Sequence, residues 1–130
     1  MTDTPAPTIW PDLTYTDAPA AIRFLVETFG FIETLVVPGD GEQEIAHAEL
    51  RWPEGGGVML GSTSDDHDFG QPTRTSIYVV TDKPDALFER VTATSAQVVR
   101  GLQDDEHSSR GFTVRDREGN LWGFGTYRGA

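Results

Sequence analysis

Thr16-Asp17-Ala18-Pro19-Ala20-Ala21-Ile22 recurs 65 residues further on as Thr81-Asp82-Lys83-Pro84-Asp85-Ala86-Leu87, and Val26 recurs as Val91. Each copy follows an alternating apolar run. In each, an Asp stands where a helix N-cap belongs, a Pro falls in the first turn, and a small residue leads to an apolar one. A single segment of this kind is a weak signal. Two copies in register, with strand-like runs in the same order around them, read as a duplication.

Working outward, residues 8–16 alternate and carry Ile9, Trp10, Leu13 and Tyr15, the pattern of a strand. Ile22, Leu25, Val26 and Phe29 then fall at i, i+3, i+4 and i+7, one face of a helix that Asp17 caps and Gly30 ends. Residues 31–38 read as a strand and Gly39-Asp40-Gly41 as a turn. In the strand at 44–52, Ala46, Ala48, Leu50 and Trp52 share one face; Ile45, His47, Glu49 and Arg51 share the other. A turn at 53–56 leads into 57–61, and a polar stretch around Asp65-Asp66-His67-Asp68 joins the halves. The order then repeats: a strand at 73–81, a helix at 82–94 buried through Leu87 and Val91, a strand at 97–102, an acidic loop at 103–109, and a closing hairpin through Glu118-Gly119-Asn120. The sequence therefore predicts one α+β domain over residues 1–130. It consists of two tandem βαβββ modules, at about 8–62 and about 73–128, with a linker at about 63–72. A helix covering one face of each sheet leaves the other free to line a cavity.

Composition removes several function classes. With no cysteine there are no disulfides, thiolate metal sites or cysteine nucleophiles. The single lysine, Lys83, reads as exposed in the first turn of a helix, a poor place for Schiff-base chemistry. A net charge of −11 opposes binding to a phosphate backbone. It suits a neutral or cationic ligand, or serves solubility alone. No apolar run approaches the ~20 residues of a membrane span, and the N-terminus lacks the pattern of a signal peptide; the cytoplasm is the expected compartment. Gly55-Gly56-Gly57 is not followed by Lys-Ser or Lys-Thr, so it is no phosphate loop, and no Gly-x-Ser-x-Gly elbow occurs.

Pro11-Asp12-Leu13-Thr14-Tyr15-Thr16-Asp17-Ala18, followed by Phe29-Gly30-Phe31, resembles the opening of the glyoxalase/bleomycin-resistance/dioxygenase (vicinal oxygen chelate) superfamily. The segment from Gly111 to Tyr127, with Asp116-Arg117-Glu118-Gly119-Asn120 at its turn, resembles its closing hairpin; Arg117 stands where the family usually has Pro. The resemblance implies a curved, mostly antiparallel eight-stranded sheet around a ligand cavity, commonly in a homodimer. It also implies four metal-ligand positions. Carried over by motif these are Trp10, seven residues before Asp17; Thr75, seven before Asp82; Gly123, three after Asn120; and the 57–61 segment, closest to Met59. None is a good ligand for a divalent metal, so neither metal nor cofactor is expected.

If Gly123 lines the cavity, alternation brings Gly125 with it; if Met59 does, Gly57 and Gly61 follow. Strand glycines let a ligand approach the backbone, or else mark bulges. Trp10 offers an aromatic plane or is plain core, whereas Trp122 and Phe124 read as core beneath a helix. Asp12, His47 and Glu49 fall on the cavity side, as ligand contacts, as an acid–base set, or as a solvated strand face. His67 and His107 lie in acidic loops and read as solvent-exposed. Two functions follow. The first is a metal-free protein that sequesters an apolar or aromatic small molecule, an antibiotic or toxic metabolite, with Trp10, Asp12, His47, Glu49, Met59, Gly61, Thr75, Gly123 and Gly125 as contacts. The alternative is an enzyme of the same superfamily: a glyoxalase-like lyase or isomerase, a dioxygenase, or a metal-free acid–base catalyst using Asp12, His47 and Glu49.

Overall fold

The computed structural model describes residues 6–106 and 108–130, so His107 lies outside the described residues. The chain divides into two compact units, residues 1–73 and 74–130. Each is a βαβββ module. The first contains β1 (Asp12–Tyr15), α1 (Ala18–Phe24) running into a π-helical turn (Leu25–Phe29), β2 (Ile32–Pro38), β3 (Ile45–Arg51) and β4 (Gly57–Ser62). The second contains β5 (Ser76–Val80), α2 (Pro84–Thr92), β6 (Gln97–Asp104), β7 (Arg110–Arg115) and β8 (Leu121–Gly125). All eight expected strands are present, as two sheets of four ordered β1-β4-β3-β2 and β5-β8-β7-β6. In each sheet the first strand runs parallel to the last and the other pairings are antiparallel.

Alternation sorts the side chains as anticipated. In the first unit Leu13, Tyr15, Ala48, Leu50, Val58 and Leu60 are buried together with Ile22, Leu25 and Phe29 of the helical segment. In the second, Phe88 of α2 packs edge-on against Phe112, which stacks on Phe124 (centroids 5.1 and 5.3 Å apart). Trp122 and Phe124 are buried core beneath that helix.

Four expectations need correction. First, β1 is only four residues long. Pro11 has no N–H to give a ladder, and the Trp10 indole turns back to donate to the Pro7 carbonyl at 3.3 Å. Second, the helix does not stay α-helical. The Gly30 N–H bonds the Leu25 and Val26 carbonyls, with Gly30 left-handed at φ 93°, and the widened turn brings Thr28 inward beside Phe29 while Val26 is only half-buried. Third, the repeat is imperfect at the second helix. Asp17 caps α1 by accepting from the Ala20 N–H at 3.2 Å, but the cap position of α2 falls on Lys83, which makes no side-chain cap, and Asp82 instead pairs with Arg128. Fourth, the polar stretch belongs to the first unit. Thr73 exchanges hydrogen bonds with the backbone of Thr14, and the Phe69 carbonyl accepts from the Thr14 hydroxyl, so this segment covers the free edge of β1.

The closing turn is organised by one buried carboxylate. Asp116 Oδ1 accepts from the N–H groups of Glu118 (3.0 Å) and Asn120 (2.9 Å). Its Oδ2 accepts from Asn120 Nδ2 and Trp122 Nε1, both at 3.1 Å. Asn120 Oδ1 in turn accepts from the Thr75 N–H at 2.9 Å, fixing the approach to β5. Gly119, at φ 96°, supplies the left-handed residue the turn needs. Arg117, where the family usually has Pro, is exposed.

Candidate functional site

In the first unit the sheet face opposite the buried core carries most of the anticipated residues. Asp12 lies beside Met59 across β1 and β4, and Met59 lies beside Glu49 across β4 and β3. In the next row Gly57 pairs with Arg51. The Trp10 ring rests on Gly57, where an added Cβ would come within 2.8 Å of Trp10 Cζ3. The Arg51 guanidinium stands 5.9 Å from the centroid of the same ring, a cation–π approach. Trp10 is thus half-exposed beside a cation and is not plain core. His47 Nε2 and Glu49 Oε2 are 2.8 Å apart, both partly exposed, whereas no hydrogen bond joins Asp12 to either. Gly61 pairs with Thr14 one row further on, and a Cβ there would meet the Ala46 carbonyl at 3.0 Å.

In the second unit the ladder runs Arg100, Thr113, Gly123, Tyr78 across β6, β7, β8 and β5, with Gly111 and Gly125 side by side in the adjoining row. Gly123 and Gly125 share this open face, as alternation requires, but the space above them is not empty. A Cβ on Gly123 would lie 3.6 Å from Tyr78 Cδ1, and one on Gly125 would lie 2.8 Å from the Tyr78 hydroxyl. That hydroxyl donates to the Tyr127 carbonyl at 2.8 Å. Partial burial pushes the Tyr78 phenol above its ordinary pKa, against the opposing pull of hydrogen bonds with Ser109 and the Tyr127 backbone, so it stays protonated at neutral pH. Beyond the ring lies a trough of about 210 Å³, floored by Gly111, Thr113, Gly123 and Gly125 and bounded by Arg100 and Asp105. A wider recess of about 550 Å³ lies against Tyr78, Ser109 and Tyr127.

Thr75 does not join this face. It precedes β5 and is exposed, and its backbone is held by Asn120 and Leu121; the β5 side chain over the glycines is Tyr78. Sequence reading passed over Tyr78, Gly111, Thr113 and Arg100. The signal for Tyr78 was its place between Ile77 and Val79 in an alternating strand, and for Gly111 and Thr113 their alternation opposite Gly123 and Gly125. Nothing local marked Arg100. His67 is exposed, as anticipated.

Among the described residues no three His, Asp or Glu side chains gather in a way that would hold a metal ion. Trp10, Met59 and Gly123 offer no hard donor, so the residues present do not fit a family metal centre. Among the described residues, no helix is long and apolar enough to cross a membrane.

Comparison with known proteins agrees with the architecture. The chain is 37% identical to TioX from Micromonospora sp. ML1, whose crystal structure it matches with a TM-score of 0.77 over 90% of this chain and 95% of that one. It is 33% identical to an uncharacterized protein of Mycobacterium tuberculosis (strain H37Rv), over 92% of this chain and 74% of the relative. A superfamily member from Sphaerobacter thermophilus has the same fold at 19% identity, with a TM-score of 0.70 over 91% of this chain and 96% of that one. The family described as Glyoxalase/Bleomycin resistance protein/Dioxygenase superfamily matches residues 9–124. The chain belongs to that superfamily.

Proposed function

We propose that this protein is a metal-free small-molecule binder, working as a cytoplasmic homodimer, that sequesters an aromatic ligand such as an antibiotic or toxic metabolite. One observation carries the reading: where the superfamily's metal ligands are expected, each module instead sets an aromatic ring over strand glycines. These are Trp10 on Gly57, and Tyr78 over Gly123 and Gly125. Such faces provide flat apolar contact with polar groups at the margin, the composition of small-molecule sites. The net charge of −11 draws in cationic aromatics at long range.

The test is native mass spectrometry and tryptophan fluorescence with bleomycin and ethidium as probes, alongside elemental analysis. A 1:1 adduct per chain that quenches tryptophan emission, in protein free of divalent metal and unmoved in Tm by chelator, supports the proposal. About one Zn, Ni, Mn or Fe per chain overturns it in favour of an enzyme. Light scattering that gives a monomer mass at micromolar concentration removes the dimer.

A second reading, metal-free acid–base catalysis, is favoured by the 2.8 Å contact between His47 and Glu49. Under it, His47→Ala and Glu49→Ala stop turnover while binding survives. Under sequestration they change affinity only.

A further inference from the structure

One side of the second unit's trough is built from side chains that can donate hydrogen bonds and have no protein acceptor. Arg100 on β6 and Thr113 on β7 are ladder neighbours, and Gln103 pairs with Gly111 in the adjoining row; all three line the trough. Residues 100 and 103 would point to opposite faces of a regular strand. The β6 register shifts between them, and that irregularity brings both side chains to the open face. Arg110 is engaged by Asp85 and Asp104, and Arg128 by Asp82. Among the described residues, by contrast, the Arg100 guanidinium, the Thr113 hydroxyl and the Gln103 amide have no hydrogen-bond or ion-pair partner. At the other end of the Arg100 row stands the Tyr78 ring, over Gly123 and Gly125 and tied to the Tyr127 carbonyl.

A guanidinium only donates and is always charged, and a hydroxyl and a carboxamide can donate beside it. A carboxylate answers all three, since its two oxygens accept several hydrogen bonds and those from Arg are charge-assisted. The chain's net charge of −11 opposes an anion from afar, but exposed charges more than ~8 Å away are largely screened at physiological ionic strength. The one carboxylate among the trough's lining residues is Asp105. It stands at the Ser109 end, its Oδ1 accepting the Ser109 N–H at 3.1 Å. Residues 109 and 113 are separated by about 13 Å at a strand rise of ~3.3 Å per residue, so Asp105 does not share the Arg100 row. The volume sets the size. About 210 Å³ falls below the roughly 300–1,000 Å³ of sites for drug-sized molecules, and suits one ring with a short acid arm. The glycine floor lets the ring lie close to the backbone, and Tyr78 gives it a fixed aromatic wall.

Building on the small-molecule reading above, we infer that this trough binds an aromatic carboxylic acid in its ionised form. The carboxylate takes hydrogen bonds from Arg100 and Thr113, and the ring lies on Gly123 and Gly125 against Tyr78. Arg100 is thus the residue that sets specificity for the acid.

The experiment titrates the ¹⁵N-labelled full chain, at one ionic strength, with 3-phenylpropanoate, with its neutral amide 3-phenylpropanamide, and with propanoate, which lacks the ring. 3-Phenylpropanoate is expected to shift the amides of Gly111, Thr113, Gly123 and Gly125, and each of the other two to bind at least about tenfold more weakly. Arg100 is exposed, so Arg100→Met keeps the fold; it removes the preference of the acid over the amide. Equal affinity for 3-phenylpropanoate and either control, a preference over the amide that survives in Arg100→Met, or no shift at these residues overturns the inference. If that happens while ethidium still forms its adduct and quenches tryptophan, only the aromatic-acid assignment falls. Loss of both results removes the binding function as well.

Discussion

Asp116→Asn is the sharpest test of how the closing hairpin holds the second unit's open face in place. The substitution is isosteric, but it exchanges one acceptor oxygen for an NH₂ group. In one amide orientation that group meets the donors Asn120 Nδ2 and Trp122 Nε1; in the other it meets the N–H groups of Glu118 and Asn120. Either way two donors face a donor. Asn120 and Trp122 have no exposed surface, so water cannot substitute there. A buried donor without its acceptor costs about 1–3 kcal/mol. The second orientation is the cheaper, because Glu118 is only half-buried and its N–H can reach water. The expected loss is therefore about 2–4 kcal/mol, the Asn120 N–H being uncompensated and the Glu118 N–H partly so. With a urea m-value of ~1–3 kcal/mol/M, the midpoint falls by roughly 1–2 M. Equilibrium urea unfolding followed by tryptophan fluorescence measures it, and Trp122 reports locally. A midpoint shift below about 0.3 M would show that the carboxylate is not the organising group, and the account of the turn would be wrong.

Gly111→Ala and Gly123→Ala should differ. A Cβ on Gly111 would sit 2.2 Å from the Phe124 carbonyl, costing about 1–3 kcal/mol as overpacking, whereas Gly123→Ala should change stability by less than about 1 kcal/mol; equal melting temperatures would refute the distinction. Trp10→Ala should weaken ethidium binding by about 1–3 kcal/mol, read by titration, if the ring is an anchor. The Arg110 guanidinium, by hydrogen bonding, holds the Asp85 carboxyl below the ordinary carboxylate range. A depressed folded-state pKa gives stability that is present above the unfolded value near ~4 and is lost as pH falls through the lowered one. Asp85→Asn should accordingly flatten the acid limb of the melting-temperature profile below about pH 4 while leaving its neutral part close to the parent's.

The fold was largely legible because burial enforces period. Ala48 and Leu50 on β3, and Trp122 and Phe124 on β8, are buried where alternation put them, and each copy of the 65-residue repeat leads into a helix that follows the first strand of a four-stranded sheet. What sequence missed depends on geometry that period does not encode. The π turn after α1, which buries Thr28 beside Phe29, is not marked by the spacing of apolar residues. The cap of α2 shifted one residue although the motif kept its spelling. That one-residue shift does not account for the site: counting back from Asp82 leads to Thr75, three residues short of Tyr78, whose side chain lies over the glycines. The place of Arg100 beside Thr113 was not legible because it depends on a register that shifts on either side of it.

The glycines of the open face divide by what they would tolerate, and the division bears on function. Gly111 is explained by packing, since a neighbouring backbone carbonyl leaves no room for a Cβ. Gly57 is likewise explained, because a Cβ there would be 2.5 Å from the Leu50 carbonyl as well as against Trp10. Gly123 is not. Its φ does not require glycine, and a Cβ would make only ordinary contact with Tyr78 and Thr113. A glycine in a strand costs stability relative to a residue with a side chain, and at this position neither sterics nor backbone conformation returns the cost. What glycine does provide here is the open floor between Tyr78 and Arg100. An aromatic ring shielding a strand glycine is by itself a structural device, and that suffices for Trp10 on Gly57. It does not suffice where the glycine could be replaced without a clash. Packing therefore gives no reason for glycine at position 123, whereas the ligand floor proposed above would give one.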